Sequence, residues 1–174
     1  KQRIFFNFNL RFSLFNQVLT NSPKLDSDFK KEIIEKIGTI IQINIISSQG
    51  LAFKEKYITN WRSDGKNNLH NIIENSSIHW IDLLVYNFGQ TIDATYLPRL
   101  ISNNGTSYDT NSVTLHFQNG IAASIFTSYA TPLIDNMIII GTDGYIIVKD
   151  DMLELNFPRD TFDSNGLFTK PKIH

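Results

Sequence analysis

Apolar residues recur along this chain at two different periods, and the change between them divides it. At the N-terminus, Arg3–Phe12 is dense in Phe and Ile, residue types that favour extended backbone, and predicts a strand. A short helix follows at Leu14–Leu19, closed by the turn residues Asn21-Ser22-Pro23. Ser27 or Asp28 then caps a second helix running to about Lys36, with Phe29, Ile33, Ile34 and Ile37 on one stripe and Gly38 at its end. Thr39–Ser48 predicts a long strand in which Ile41, Ile43 and Ile45 alternate with Gln42, Asn44 and Ile46. Gln49–Asn68 has neither period and reads as an irregular connection. Loops of that length within a domain are functional or disordered.

From Leu69 to Phe88 the helical period returns. Leu69, Ile72, Ile73, Ser76, Trp80, Leu83 and Leu84 fall on one arc, and Asn75, His79, Asp82 and Tyr86 on a neighbouring face. Gly89 closes this helix. Short strands follow at about Thr91–Leu97, Ser112–Gln118, Ile121–Tyr129, Asn136–Ile140, Tyr145–Lys149 and Met152–Asn156. Asn119-Gly120 and Asp143-Gly144 are hairpin turns, and Asn103-Asn104-Gly105 marks a wider loop. This order predicts an α+β fold: a large, mostly antiparallel, open-faced sheet with helices on one face. Thr114, His116, Ser124, Phe126 and Ser128 alternate with Val113, Leu115, Phe117, Ile125 and Thr127, so both sheet faces carry apolar groups. A face left uncovered by helices then points to burial against another subunit.

Composition narrows the function. The 174 residues, 41% of them hydrophobic, are enough for one core, so residues 1–174 are read as a single domain. Sixteen basic and seventeen acidic residues are spread without a basic run, which argues against nucleic acid or an acidic membrane surface as partner. The absence of cysteine excludes disulfides and thiolate metal sites and fits a cytoplasmic protein. The apolar run Thr39–Ile46 is too short to span a bilayer. The chain has no initiator Met and begins within a strand-like pattern, which predicts that it is the later portion of a longer polypeptide.

Most catalytic signatures are missing. None of the nine glycines forms a dinucleotide-binding G-x-G-x-x-G or a P-loop, and there is no G-x-S-x-G or H-E-x-x-H. As a metal set, His70, Glu74, His79 and Asp82 fail on direction, because His70 lies on another side of the helix from His79; no metal is expected. The face bearing Asn75 and His79 has two readings. His79 is either a core-margin histidine bonded to Asp82 or a carbonyl, or a general acid/base for a hydroxyl proton. Spacing does not choose between them.

Several stretches resemble, in order, the C-terminal domain of the glucose–fructose oxidoreductase/inositol dehydrogenase (Gfo/Idh/MocA) family. They are FNFNLRFSLF, IGTIIQINIISSQG, NWRSDGKNNLHNIIENSSIHWIDLLVYNFG, YDTNSVTLHFQNG and IIIGTDGYIIVKDDMLEL, spanning about Phe6 to Leu155. The resemblance implies the substrate-binding half of an NAD(P)-dependent oxidoreductase acting on a sugar or nucleotide-sugar hydroxyl. It implies His79 as the catalytic histidine, acting beside a lysine of a Glu-Lys-Pro motif that this chain lacks. Arg11, Asn75 and the pair Trp61 and Arg62 are the implied substrate-binding residues. NAD or NADP would be bound by an N-terminal Rossmann domain absent from this chain, and homo-oligomers would form through the open sheet face. Leu69-His70-Asn71 stand where the family has three glycines, and Asn75 stands where it often has an aspartate. The asparagine variant is similar to members acting on nucleotide-linked sugars. The alternative is a non-catalytic sugar-binding or assembly module of the same fold.

Overall fold

The computed structural model describes residues 7–19, 35–150 and 152–174. Eight strands make one sheet: β1 (Ile40–Ser48), β2 (Thr91–Arg99), β3 (Thr110–Phe117), β4 (Ala122–Ser128), β5 (Ile134–Gly141), β6 (Tyr145–Lys149), β7 (Met152–Phe157) and β8 (Lys172–Ile173). Their spatial order is β2-β3-β4-β1-β5-β6-β7-β8. β1 lies in the middle, parallel to β4 and antiparallel to β5, and the other neighbours pair antiparallel. This is the α+β arrangement that the periodicity predicts. Helices α1 (Leu14–Leu19) and α2 (Ile78–Phe88) cover one face. Among the described residues, no helix is long and apolar enough to cross a membrane.

The inner face follows from alternation. Ile43 and Ile45 of β1, Val113, Leu115 and Phe117 of β3, Ala123 and Ile125 of β4, and Met137 and Ile139 of β5 are buried against Phe15, Val18, Trp80, Leu83 and Leu84. Each large aliphatic side chain so buried contributes roughly 1.5–3 kcal/mol. The outer face bears Gln42 and Asn44, whose side chains bond each other at 3.0 Å, and the apolar residues Ile46, Phe126, Ile138, Ile140 and Ile147.

Residues 1–6, and most of the helix expected to end near Lys36, lie outside the described residues, although 35–37 are helical. The end of the expected Arg3–Phe12 strand is different: Asn9–Phe12 is a 3-10 turn. Its hydrogen bonds close locally, with Arg11 N–H donating to Phe8 O, and Ser13 N–H and Oγ both donating to Leu10 O. Asn16 Nδ2 donates to Arg11 O at 2.6 Å. The N–H groups of Arg11 and Ser13 and the carbonyls of Phe8, Leu10 and Arg11 are thus engaged locally rather than on a sheet edge.

The helix at 71–88 also departs from a plain α-helix. Ile73–Ser77 form a π-helical turn, in which Ile78 N–H reaches Ile73 O. The extra residue places Ser77, rather than Ser76, against the sheet, where Ser77 is fully buried. Its hydroxyl bonds Thr127 Oγ1 at 2.6 Å and accepts from Asn111 Nδ2 at 3.0 Å. At the other end Gly89, at φ +83°, stops α2 with its N–H on Val85 O.

The connection at 49–68 is ordered by close backbone approach. Ser63 is buried, and its carbonyl accepts from Thr106 N at 2.8 Å and Ser107 N at 3.1 Å. Gly105 makes this possible, since a Cβ there would lie 2.7 Å from Ser63 Cβ. Asp109, also fully buried, holds the 101–109 loop by accepting from Ile101 N, Ser102 N and Ser102 Oγ.

The Ser77 contacts give a stability prediction. Ser77→Ala leaves Asn111 and Thr127 without a buried partner, which should cost about 1–3 kcal/mol. Chemical denaturation of the variant measures it, and an unchanged midpoint would count against the buried contact as a structural determinant.

Candidate functional site

The helical layer and the sheet diverge at one rim, and a cleft of about 350 Å³ opens between them. Asn75, Ser76, His79 and Trp80 line it from the helix, and Ser47, Gln49 and Asp135 from the strand ends. Asn9 and Leu10 of the 3-10 turn, and Arg62 of the 49–68 connection, complete the lining. The size lies in the range of small-molecule sites, and the lining is rich in hydrogen-bonding groups.

Helix geometry sets the first wall. Asn75 and Ser76 fall in the π turn, and both donate to the Tyr129 hydroxyl, at 2.8 and 2.9 Å. Tyr129 is buried and packs edge-on against Tyr57, with ring centroids 6.1 Å apart. Asn75 is therefore held by the core at one end while its flank faces the cleft. His79, in the first turn of α2, packs edge-on against Phe8 at 6.0 Å. Its Nδ1 is enclosed and has no hydrogen-bond partner among the described residues. Nε2 is then the nitrogen able to meet a ligand.

Asp82 does not orient His79. Its carboxylate takes a bidentate ion pair from Arg11, with Nε on Oδ2 at 2.8 Å and Nη2 on Oδ1 at 2.6 Å. That bond, ahead of the general attraction of the Asp82 charge, holds the Arg11 guanidinium protonated beyond its ordinary range. The guanidinium also lies 4.5 Å from the Tyr86 ring centroid and 5.5 Å from that of Phe8. Arg11 is consequently close behind His79, through Phe8, but is not in the cleft lining.

Arg62 and Trp61 separate at their turn. Asn60 Oδ1 caps the 3-10 turn Trp61–Ser63 by accepting from Arg62 N at 3.0 Å, and the Arg62 guanidinium stacks 4.3 Å from the Trp61 ring. Arg62 enters the His79 cleft. Trp61, 56% exposed, lines a second groove with Ile58, Asn60, Asp64 and Thr106. There Asp64 sits below the usual carboxylate range, chiefly because Asn67 Nδ2 donates to it. Behind Arg62, burial pushes the Tyr57 phenol up to about 12, helped by Asp109 and Tyr129 and opposed by Arg62.

The structure thus brings His79, Asn75 and Arg62 into one cleft, with Arg11 against its back and Trp61 in the adjoining groove. His70 belongs elsewhere: its Nδ1 is 2.9 Å from Tyr96 OH, and its ring packs on Tyr108. Among the described residues no group of three or more His, Cys, Asp or Glu converges.

Asp135, like Ser47 and Gln49 on the same wall, is a cleft residue that the sequence reading passed over. It is the second residue of β5, directly opposite Ser47 of β1. Burial raises its carboxyl above the ordinary range, a hydrogen bond with Ser47 opposes that, and Asp150 adds to it. Its Oδ1 has no partner among the described residues. A signal was present, since Asp135 continues the inner register of Met137 and Ile139; the expected strand began one residue too late to include it.

The family model described as the GFO/IDH/MocA C-terminal domain matches residues 31–147. A search of curated protein sequences returns no match. Among solved structures, the WlbA dehydrogenase from Bordetella pertussis in complex with NADH and UDP-GlcNAcA aligns at TM-score 0.66 and 15% identity, over 88% of this chain and 47% of that one. Levoglucosan dehydrogenase in complex with NADH aligns at TM-score 0.66 and 17% identity, over 92% of this chain and 45% of that one. An oxidoreductase from Agrobacterium radiobacter in complex with NAD+, L-tartaric acid and magnesium aligns at TM-score 0.61 and 22% identity, over 82% and 42%. This chain spans less than half the length of each.

Asp135 yields a pH prediction. A carboxyl whose folded pKa is raised gives its full stability below the unfolded value, and loses it as pH rises through the folded one. Asp135→Asn does not titrate, so its melting temperature should rise relative to the unsubstituted chain as pH climbs from below the ordinary aspartate range through the raised folded value. A difference that stays flat or falls over that window would refute the assignment of a buried, penalised charge.

Proposed function

The chain belongs to the GFO/IDH/MocA C-terminal domain family, and from that premise we propose that it forms the substrate-binding part of an NAD(P)-dependent oxidoreductase acting on a hydroxyl of a sugar or nucleotide sugar. The observation that carries this reading is the polar cleft, in which His79 stands among Asn75, Ser76, Ser47, Gln49, Arg62 and Asp135. A ring bearing many hydroxyls needs many short-range donors and acceptors, and this lining supplies them.

His79 takes or returns the proton of the reacting hydroxyl through Nε2, with its ring held by Phe8. Arg62 and Asn75 bind the remainder of the substrate. Arg11 acts from behind, fixing Asp82 and with it the turn of α2 that carries His79. Trp61 holds the Arg62 guanidinium in place by stacking.

A dinucleotide does not fit the residues described. No G-x-G-x-x-G is present in the sequence, and among the described residues no phosphate-cradling loop opens a helix after a strand. The nicotinamide cofactor belongs to a domain outside this chain.

The outer sheet face is assigned to assembly. Ile46, Phe126, Ile138, Ile140 and Ile147 lie on it, and its polar centre is already satisfied by the Gln42–Asn44 bond. A second copy packed face to face would remove these side chains from water while leaving the cleft, on the opposite face, free.

Three measurements test this reading. In the complete oxidoreductase, His79→Asn should lower kcat roughly 10²–10⁴-fold with a smaller change in KM; a variant with full turnover would end the catalytic assignment and leave a sugar-binding module. NADH added to the 174-residue chain at micromolar concentration should give no saturable change in fluorescence, and tight binding would contradict the division of labour. Sedimentation should give a dimer or tetramer burying about 800 Å² per copy. A single 19.9 kDa species would remove the outer face from consideration.

A further inference from the structure

We propose that Asp135 reads the sugar ring beyond the reacting hydroxyl, accepting hydrogen bonds from free ring hydroxyls and rejecting sugars that carry a carboxylate there. This rests on the sugar-site reading above and narrows it to neutral, polyhydroxylated rings at the His79 end of the ligand.

Placement comes first. β1 and β5 run antiparallel with Ser47 opposite Asp135, so the two side chains share a face. That face is the inner one, carrying Ile43 and Ile45 on β1 and Met137 and Ile139 on β5. One step beyond this apolar layer the same registers place a hydroxyl and a carboxyl at the cleft, across from the helix wall that carries Asn75 and His79. A ligand filling the cleft meets both walls.

Bonding capacity comes second. Ser47 stands opposite Asp135 across the β1–β5 pair, while Asp135 Oδ1 has no partner among the described residues. An enclosed acceptor without a donor costs free energy, and a bound hydroxyl relieves it. The terminal torsion of an aspartate is broad and nearly two-fold, so a small rotation brings either oxygen to the cleft. Gln49 beside it adds an amide donor and an acceptor. This rim suits adjacent hydroxyls, each of which both donates and accepts.

Charge comes third. Among the described residues, the arginines near the cleft are Arg11 and Arg62. Arg11 is already neutralised by the bidentate pair with Asp82 and does not line the cleft. Arg62 lines it, facing the Trp61 side of the loop on which it stacks. A ligand carboxylate set against Asp135 would therefore meet a like charge with one arginine to offset two anions. A neutral ring avoids that repulsion.

The test uses the 174-residue chain and two sugars that differ in one group, D-glucose and D-glucuronate, followed by amide NMR at about pH 8, above the carboxylate range. D-glucose should shift the amides of Asn75, His79 and Asp135, and D-glucuronate should bind about ten-fold more weakly or less. Asp135→Asn and Asp135→Ser should narrow that preference several-fold, mainly by gaining glucuronate, with the spectrum otherwise dispersed as in the native chain. If both sugars shift His79 with a preference that neither Asp135 variant changes, this proposal falls and the sugar site stands. If neither sugar shifts the cleft amides of the native chain, both fall together. Glucuronate binding more tightly than glucose overturns the Asp135 role directly.

Discussion

The placement of a single buried hydroxyl governs how the helix meets the sheet. Ser77 must reach Asn111 and Thr127 on the inner face, because those groups would otherwise be buried without partners. A regular α-helix that seats Trp80, Leu83 and Leu84 in the core would turn Ser76 toward the sheet instead. The chain accommodates both demands by widening one turn, Ile73–Ser77, to π geometry. The widened turn then swings Asn75 and Ser76 together onto the Tyr129 hydroxyl and along the cleft edge. The site's first wall is thus a by-product of satisfying a polar group in the core.

The Arg11–Asp82 pair performs the corresponding task at the other end of the cleft. It ties the N-terminal 3-10 turn to α2, reinforced by Asn87 Nδ2, which donates to Asn16 Oδ1 at 3.0 Å and to Leu83 O at 2.7 Å. Arg11 is 38% exposed and Asp82 12%, so the pair is partly screened and contributes more to orientation than to stability. Its electrostatic effect is larger than its energetic one. With Asp82 paired, the charged side chains lining the cleft among the described residues are Arg62 and Asp135.

Much of this was legible in the chain because burial leaves a periodic trace. The α1 span, the hairpins at Asn119-Gly120 and Asp143-Gly144, and the strands from Thr91 onward follow directly from alternation and turn chemistry. The residues that escaped are those whose behaviour depends on a partner distant in sequence. Arg3–Phe12 has strand composition, but the local bonds of Ser13 and Asn16 close Asn9–Phe12 into a turn. Ser76 sat on the apolar arc at a strict helical period, and only contact with Asn111 and Thr127, more than thirty positions away, displaces it in favour of Ser77. Asp82 lay near His79 on the helix, yet Arg11 claims it. Such couplings have no period and leave no local mark.

The two faces of the sheet also divide the work in a way that follows from its edge-to-centre construction. β1 is central, and it contributes Ile43 and Ile45 to the core, Ile46 to the outer face and Ser47 to the cleft. Successive residues on one strand therefore present an apolar side chain to the outer face and a hydroxyl to the cleft. Because Ile46 and Ser47 are joined through one rigid, doubly paired strand, packing a second copy on the outer face would restrain the cleft wall without entering it. On the proposed reading, rigidity at the Ser47–Asp135 rim, where hydroxyl recognition would demand placement to within a fraction of an ångström, would then be supplied from the face of the sheet opposite the cleft.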